Sequence, residues 1–304
     1  MWAAQPRSTG PEARTPEMGE PALARSYGAT FDGIAAEYDR ARPGYPEELI
    51  DRACRLAGLA SGDHVLEIGC GSGQLTRGLV DRGLRVTAVE PGAQLIALAD
   101  HKLADSGAVE FIHARFEDAP VPGGHVRAVF SASAFHWIDP DVSWEKVARV
   151  LAPGGTLALL QYHGLEEPET KGDQDALLEA LHRIAPEIAA DWPVYRDLDA
   201  IVAGARQRRE NVSEVWAWIG SHDVARPQAR ALFSDVQLAA VPTRLVQTAD
   251  ELNALFGTMS SYQRLSPAQR ADLANETAAI YNRLGRPIRS STVAVLVTAR
   301  RCGV

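Results

Sequence analysis

Apolar and polar positions alternate along the chain in two rhythms. Short apolar runs at residues 65–68, 85–89, 109–112, 128–133 and 156–160, the first closed by Gly69 and the second by Glu90 and Pro91, read as strands. Between them lie longer stretches with apolar residues three and four apart, which predict helices over residues 31–41, from Pro46 onward, and over 74–82, 93–103 and 141–151. The helix after Pro46 carries Glu47 and Glu48 in its first turn, where the helix dipole favours acids, and Leu49, Ile50, Ala53, Cys54 and Ala57 on one face. Trp144, Val147, Ala148 and Leu151 share a face in the same way, which makes Trp144 a core residue. Strands alternating with helices predict an α/β domain built on a parallel sheet.

The rhythm changes after Tyr162. From 162 to 232 no strand pattern is visible; Leu177, Leu178, Leu181 and Ile184 suggest a helix, and Trp192, Trp216 and Trp218 add bulk. An insertion at this point predicts a helical lid over the sheet edge that supplies a substrate pocket, with packing against the main domain as the other reading of its aromatics. Two capping boxes follow, Thr248 with Glu251 and Ser266 with Gln269; the second opens a helix that runs to Leu284 and stops at Gly285. Residues 236–240 and 292–298 read as the final strands.

The most informative stretch is VLEIGCGSG at residues 65–73, an apolar strand that runs into Gly69, Gly71 and Gly73. Glycines at alternate positions allow positive φ and let backbone N–H groups approach a ligand, at the carboxyl edge of a strand and the amino end of a helix. The second strand stops on Glu90, followed by Pro91 and Gly92. A carboxylate there is placed to accept hydrogen bonds from both ribose hydroxyls of a nucleoside. The spacing is GxGxG rather than the GxGxxG of dinucleotide binders, and Glu67 inside the motif disfavours a pyrophosphate while suiting a cationic sulfonium.

These residues resemble the class I S-adenosylmethionine-dependent methyltransferases. The likeness runs from about Phe31 to Leu160, with a weaker echo near the C-terminus. Four stretches carry it: FDGIAAEYDRARPGYP (31–46), VLEIGCGSGQLT (65–76), VTAVEPG (86–92), and FSASAFHWID (130–139) followed by VLAPGGTLAL (150–159). RPGYP and FHWID look most like the small-molecule branch that includes ubiquinone-type C-methyltransferases and trans-aconitate-like methyltransferases. Arg127 departs from the pattern, standing where the family usually has an aspartate.

The resemblance implies a Rossmann-like fold: a seven-stranded, mostly parallel sheet with an antiparallel last strand, and a single domain over 28–304 into which 162–232 is inserted. It implies S-adenosylmethionine as cofactor, contacted by Tyr38, Arg42, Glu67, Gly69, Cys70, Gly71, Gly73, Leu75, Glu90, Pro91, Leu95, Arg115, Phe116, Glu117 and Ser131. Phe116 and Glu117 match the family's adenine wall, with a core role as the other reading of Phe116. Arg42 has three readings, pairing with the cofactor's carboxylate, with an acidic substrate, or in a surface salt bridge. Tyr45, His136, Trp137 and Trp216 are the expected substrate contacts. His136 is the candidate general base, because an imidazole titrates near neutrality; the alternatives are a cofactor contact or a core histidine. His113 and His163 read as structural.

Composition narrows the partners. A net charge of −8 and a pI near 5.5 disfavour a nucleic-acid substrate, and the one basic cluster, RQRR at 206–209, reads as a solvated helix face. Cys54, Cys70 and Cys302 show neither disulfide nor metal spacing, which predicts a cytoplasmic protein without a bound metal. No apolar run approaches the ~20 residues that cross a bilayer. Residues 1–27, rich in proline, glutamate, arginine and alanine, read as a flexible tail rather than a secretory signal. The expected activity is methyl transfer to a carbon or oxygen of a small metabolite. The alternative is an S-adenosylmethionine-binding enzyme of the same fold that promotes cyclisation or rearrangement without methyl loss. An NAD-dependent oxidoreductase and an RNA methyltransferase fit the spacing and the charge less well. Nothing in the sequence bears on oligomeric state.

Overall fold

The computed structural model describes residues 31–190, 192 and 194–303; the tail expected over 1–27 lies outside the described residues. Seven strands form one sheet in the order β3-β2-β1-β4-β5-β7-β6. They are β1 (His64–Ile68), β2 (Arg85–Glu90), β3 (Val109–His113), β4 (Val126–Ala132), β5 (Leu151–Gly164), β6 (Phe233–Gln247) and β7 (Ile288–Arg301). β1 to β5 pair in parallel, while β7 runs antiparallel to both β5 and β6. This is the seven-stranded, mostly parallel sheet that the resemblance implied; β1 to β4 lie within two residues of the predicted bounds, and β5, β6 and β7 run well beyond them.

Period-two alternation sends successive side chains to opposite faces, which yields two cores. Leu66, Val129, Leu157, Leu159, Val295 and Val297 face one way; Val65, Ala128, Phe130, Ala158, Leu160 and Leu296 face the other. The second face is covered by α2 (Glu47–Leu56), through Leu49, Ile50 and Ala53, and by α3 (Gln74–Val80), through Leu75 and Leu79. The first face is covered by α5 (Pro140–Val150), whose Trp144 and Val147 are buried as expected, and by the helices α8 (Leu198–Gln207) and α9 (Val212–Gly220). The remaining early helices are α1 (Ala35–Ala41), which precedes the sheet, and α4 (Ala93–Leu103), which follows β2.

A third apolar cluster stands apart from the sheet. It joins α6 (Pro168–Ile184) and α7 (Pro186–Ala189) to α11 (Ala249–Phe256) and α13 (Pro267–Leu284) through Leu177, Leu181, Ile188, Leu252, Leu265, Leu273 and Ile280. Both capping boxes form, and Gly285 ends α13 in the left-handed conformation at φ 61°. The four helices, together with the short α12 (Ser260–Gln263), make a cap that draws on two insertions, one after β5 and one between β6 and β7.

The lid expected over 162–232 is therefore divided. Residues 168–189 enter the cap, whereas α8, α9 and the short α10 (Ala229–Leu232) pack on a sheet face. The reason is visible in α9: Val212, Val215, Trp216 and Ile219 lie three and four apart, and the strip they form is buried against the core. No helix among the described residues is long and apolar enough to cross a membrane.

Candidate active site

A cavity of about 220 Å³ opens where the carboxyl ends of β1, β4 and β5 meet the cap. Because β7 is antiparallel, its amino end reaches the same edge and brings Ser290, Ser291 and Thr292 to the wall. The position follows the rule for open α/β sheets, whose ligands sit beyond the strands' carboxyl ends.

The floor is the turn after β1. Gly69 takes φ 70°, and a Cβ there would fall 2.3 Å from the Cβ of Ala134, so no side chain fits. Gly73 takes φ 88° at the N-cap of α3 and packs against Ala99 and Leu103 rather than lining the cavity. Glu67, Gly69, Cys70, Gly71 and Leu75 all border the cavity. Glu67 is 1% exposed and its Oε2 has no hydrogen-bond partner. Burial pushes its carboxyl up to about 7, with the nearby Glu90 adding to the rise. The Cys70 thiol is driven well above its ordinary value by burial and then by the same two carboxylates, so it is held as a neutral thiol.

Glu90 closes β2 beside this turn. Its Oε2 accepts from the N–H of Gly71 at 3.0 Å and its Oε1 from the N–H of Gly92 at 2.9 Å. Burial raises its pKa and the two backbone donors oppose the rise. Pro91 and Leu95 sit next in line. The Pro91 carbonyl meets His113 Nε2 at 3.0 Å, and the buried Leu95 donates its N–H to Asp32 at 3.2 Å. Asp32 also accepts from Gln94 at 2.7 Å, capping α4 from a distant part of the chain.

That contact fastens an N-terminal cover over the turn. Phe31 packs edge-on against Tyr38 and Trp137, at 5.7 and 5.9 Å between ring centroids. Arg42 lies over the Tyr38 ring at 5.3 Å and donates from Nε and Nη2 to Oγ1 and O of Thr258 in the cap, at 2.9 and 2.6 Å. Arg42 thereby joins the cover to the cap. Tyr45 and Ser133 share a hydrogen bond at 2.8 Å on the cavity wall, and the Tyr45 ring stacks on Tyr162 at 5.4 Å. Ser133, just past β4, holds φ 53°, a conformation that non-glycine residues keep only where the surroundings impose it.

Other expected residues lie outside the cavity lining. Phe116 is buried in the core, with Lys146 Nζ 5.0 Å from its ring centroid. Glu117 pairs with Arg115 and accepts from the N–H of Asp139 at 3.2 Å. Buried Ser131 donates to the Ile68 carbonyl at 2.9 Å and ties β4 to β1. The structure corrects the expectation for Trp216: it is fully buried in the core against the sheet, because it shares the apolar strip of α9.

His136 belongs to a buried histidine cluster that the sequence did not announce. Its ring stacks on His222 at 4.1 Å and 12°, beside Trp137 at 4.7 Å, and its Nδ1 has no partner. His222 pairs with Gln161 at 3.2 Å. His163, expected as structural, lines the cavity with an unpartnered Nε2. Burial leads in lowering all three: His136 falls well below its ordinary range, His222 to about 4 and His163 to about 3. The cluster is neutral at physiological pH. Its one sequence signal was the polar run Gln161, Tyr162, His163 closing an otherwise apolar strand. No group of three metal-ligating side chains is found among the described residues.

Residues 66–159 match the family model described as a methyltransferase domain. An uncharacterized methyltransferase of Mycobacterium tuberculosis is 38% identical over 136 residues, covering 45% of this chain and 53% of that one. Trans-aconitate 2-methyltransferase of Paracidovorax citrulli is 29% identical over 200 residues, 64% of this chain and 66% of its own. The chain thus spans about half the length of the mycobacterial relative. Among solved structures, one named as a candidate type II methyltransferase from Anaeromyxobacter dehalogenans superposes with a TM-score of 0.55 at 24% identity, covering 86% of this chain and 99% of that one. At that identity the likeness is one of fold.

Proposed function

We infer, for a chain whose residues 66–159 form a methyltransferase domain on a class I fold, an S-adenosylmethionine-dependent methyl transfer to a carbon or oxygen of a small molecule. The observation that carries the reading is Glu67 Oε2, a buried carboxylate oxygen without a partner, set beside a glycine turn that leaves no room for a side chain. An unpaired buried acid is costly, and a cationic ligand is what relieves it. Glu90, one strand away, adds the second acid, in reach of the same turn through Gly71.

In this reading Glu67 and the backbone of residues 69–73 would hold the amino-acid end of the cofactor, and Glu90 its ribose. Tyr38 would cover it, and Arg115, Phe116 and Glu117 would flank the adenine. When bound, the cofactor supplies a methyl group made electrophilic by a sulfonium. The protein's own part is then to orient the acceptor, exclude water and receive a proton. The cover and the cap exclude water, joined through Arg42 and Thr258. Proton acceptance falls to the neutral histidine cluster that includes His136, with His163 as its member on the cavity wall. Imidazoles of such low basicity are mismatched to an alkanol and suit an acceptor that is already acidic, such as a phenol, an enol or an activated carbon.

The test is a product assay with S-adenosylmethionine labelled in its methyl group, offered with phenolic and enolic acceptors. Label in the product supports transfer. Turnover without label would instead establish the cyclisation class, and failure to bind either S-adenosylmethionine or S-adenosylhomocysteine would remove both readings.

A further inference from the structure

We propose that the acceptor is an uncharged, mainly apolar molecule that presents a single hydroxyl to the Tyr45–Ser133 pair, and not a polycarboxylate. The proposal rests on the methyltransferase reading and specifies its substrate class.

The cavity's roof is aliphatic and aromatic. Leu177, Leu181, Leu252, Leu255, Phe256 and Leu273 come to it from three cap helices that share one apolar cluster. Contact with such a roof favours apolar surface in proportion to the area covered, and leaves a charged group desolvated with nothing in return. Among the described residues only two on the lining carry a formal charge, Glu67 and Arg42. Glu67, charged or protonated, offers an anion no positive partner. Arg42 already donates from Nε and Nη2 to Thr258, so it meets a carboxylate with fewer than its five N–H groups, and a single cation serves at most one carboxylate of a polyacid.

The polar groups on the wall are mostly committed as well. Tyr162 donates to the Gly44 carbonyl at 2.7 Å, and Gln174 accepts from Thr170 at 2.7 Å while donating to the carbonyls of Leu165 and Ser291. Tyr45 and Ser133 differ from these. They are bonded to each other at 2.8 Å, and a hydroxyl pair retains both a donor and acceptor lone pairs for a third oxygen. Ser133 stands at the tip of β4 in a conformation its neighbours impose, beside the glycine turn. The Tyr45–Ser133 pair near the turn, the unpartnered His163 Nε2 on the cavity lining and an apolar chamber beyond them describe a molecule with one reactive end.

The experiment uses 2-naphthol, 2-naphthoate and trans-aconitate, titrated by calorimetry into the full chain with and without S-adenosylhomocysteine. Two of these share a ring system and differ in charge. The proposal expects 2-naphthol to bind at least tenfold more tightly than 2-naphthoate, and trans-aconitate to give no saturable heat. Leu255→Arg should reverse the preference between the two naphthalenes. Should that variant fail to fold, Tyr45→Phe is the second arm, expected to weaken 2-naphthol three- to tenfold by removing one hydrogen bond. Equal or tighter binding of 2-naphthoate or trans-aconitate, or no binding of 2-naphthol, overturns the proposal. S-adenosylhomocysteine affinity is read on the same sample and separates the two claims. If it binds while trans-aconitate outcompetes 2-naphthol, the substrate class falls and the methyltransferase reading stands. If 2-naphthol binds and S-adenosylhomocysteine does not, the methyltransferase reading falls and the apolar chamber stands as a ligand site.

Discussion

Replacing Glu67 with glutamine should favour the folded protein more at neutral and alkaline pH than in acid. The carboxyl is buried and pushed from 4.5 to about 7, so the folded state holds a proton through a range in which the unfolded chain has released it. Folding is therefore favoured as pH falls through 7 toward 4.5, and above 7 the buried charge is a full penalty. A rise of about 2.5 units at 1.36 kcal/mol per unit puts that penalty near 3 kcal/mol at pH 8. At pH 5 the proton is on in the folded state and about three-quarters released in the unfolded state, which leaves about 1 kcal/mol. The amide carries none of this dependence. Desolvating its own N–H groups shifts the variant by a constant, so the informative quantity is the change in the stability difference between pH 8 and pH 5, about 2.5 kcal/mol in favour of glutamine at the higher pH. The histidines titrate in both proteins and cancel. Urea unfolding of wild type and variant across this range, with equal m-values, reads it directly. The variant should also bind S-adenosylhomocysteine about tenfold more weakly, one charge-assisted contact being lost. A stability difference that stays within about 0.5 kcal/mol across the range would refute the reasoning, since it would mean that Glu67 is not held protonated by burial.

Three further outcomes are expected. Gly69→Ala combines a positive φ with a Cβ 2.3 Å from that of Ala134 and should cost about 3 kcal/mol, read as a lowered urea midpoint; a loss below ~1 kcal/mol would show that the turn relaxes. Glu90→Ala strands the N–H groups of Gly71 and Gly92 and should lower S-adenosylhomocysteine affinity by a hundredfold or more while the protein still folds; calorimetry with unchanged affinity would remove the nucleoside from this strand. His163 and His222, lowered to about 3 and about 4, are neutral when folded and charged when unfolded at pH 5, so each should destabilise the protein there by about 2 kcal/mol relative to pH 8. His222→Phe should accordingly flatten the acid limb of the stability profile by that amount, and an unaltered limb would place the protons elsewhere.

How much of this was legible depended on how local the cause was. The turn at Gly69 and Gly73, the acid at the end of β2 and the two capping boxes are written within a few residues, because backbone conformation and N–H satisfaction are short-range requirements. The number of strands and the antiparallel end of the sheet followed from the family likeness rather than from periodicity, and the order of the strands was not read from the sequence. The cap was not legible, since its core joins helices more than sixty residues apart and each carries an ordinary amphipathic stripe with no mark of its partner. Trp216 shows the same difficulty in reverse: an aromatic in an insertion reads equally as pocket or core, and only the neighbours of α9 decide for the core. Ser133 at positive φ, Thr258 beneath Arg42 and His222 against His136 are tertiary facts with no local signature.

The central claim is that the turn after β1, with Glu67 and Glu90 beside it, binds an adenosyl sulfonium. Calorimetric titration of the wild-type chain with S-adenosylhomocysteine, repeated with S-adenosylmethionine, tests it most directly. The account predicts saturable one-site binding of both in the micromolar range, reduced by a hundredfold or more in Glu90→Ala. The absence of heat and of any thermal stabilisation at ~1 mM of either compound would contradict it.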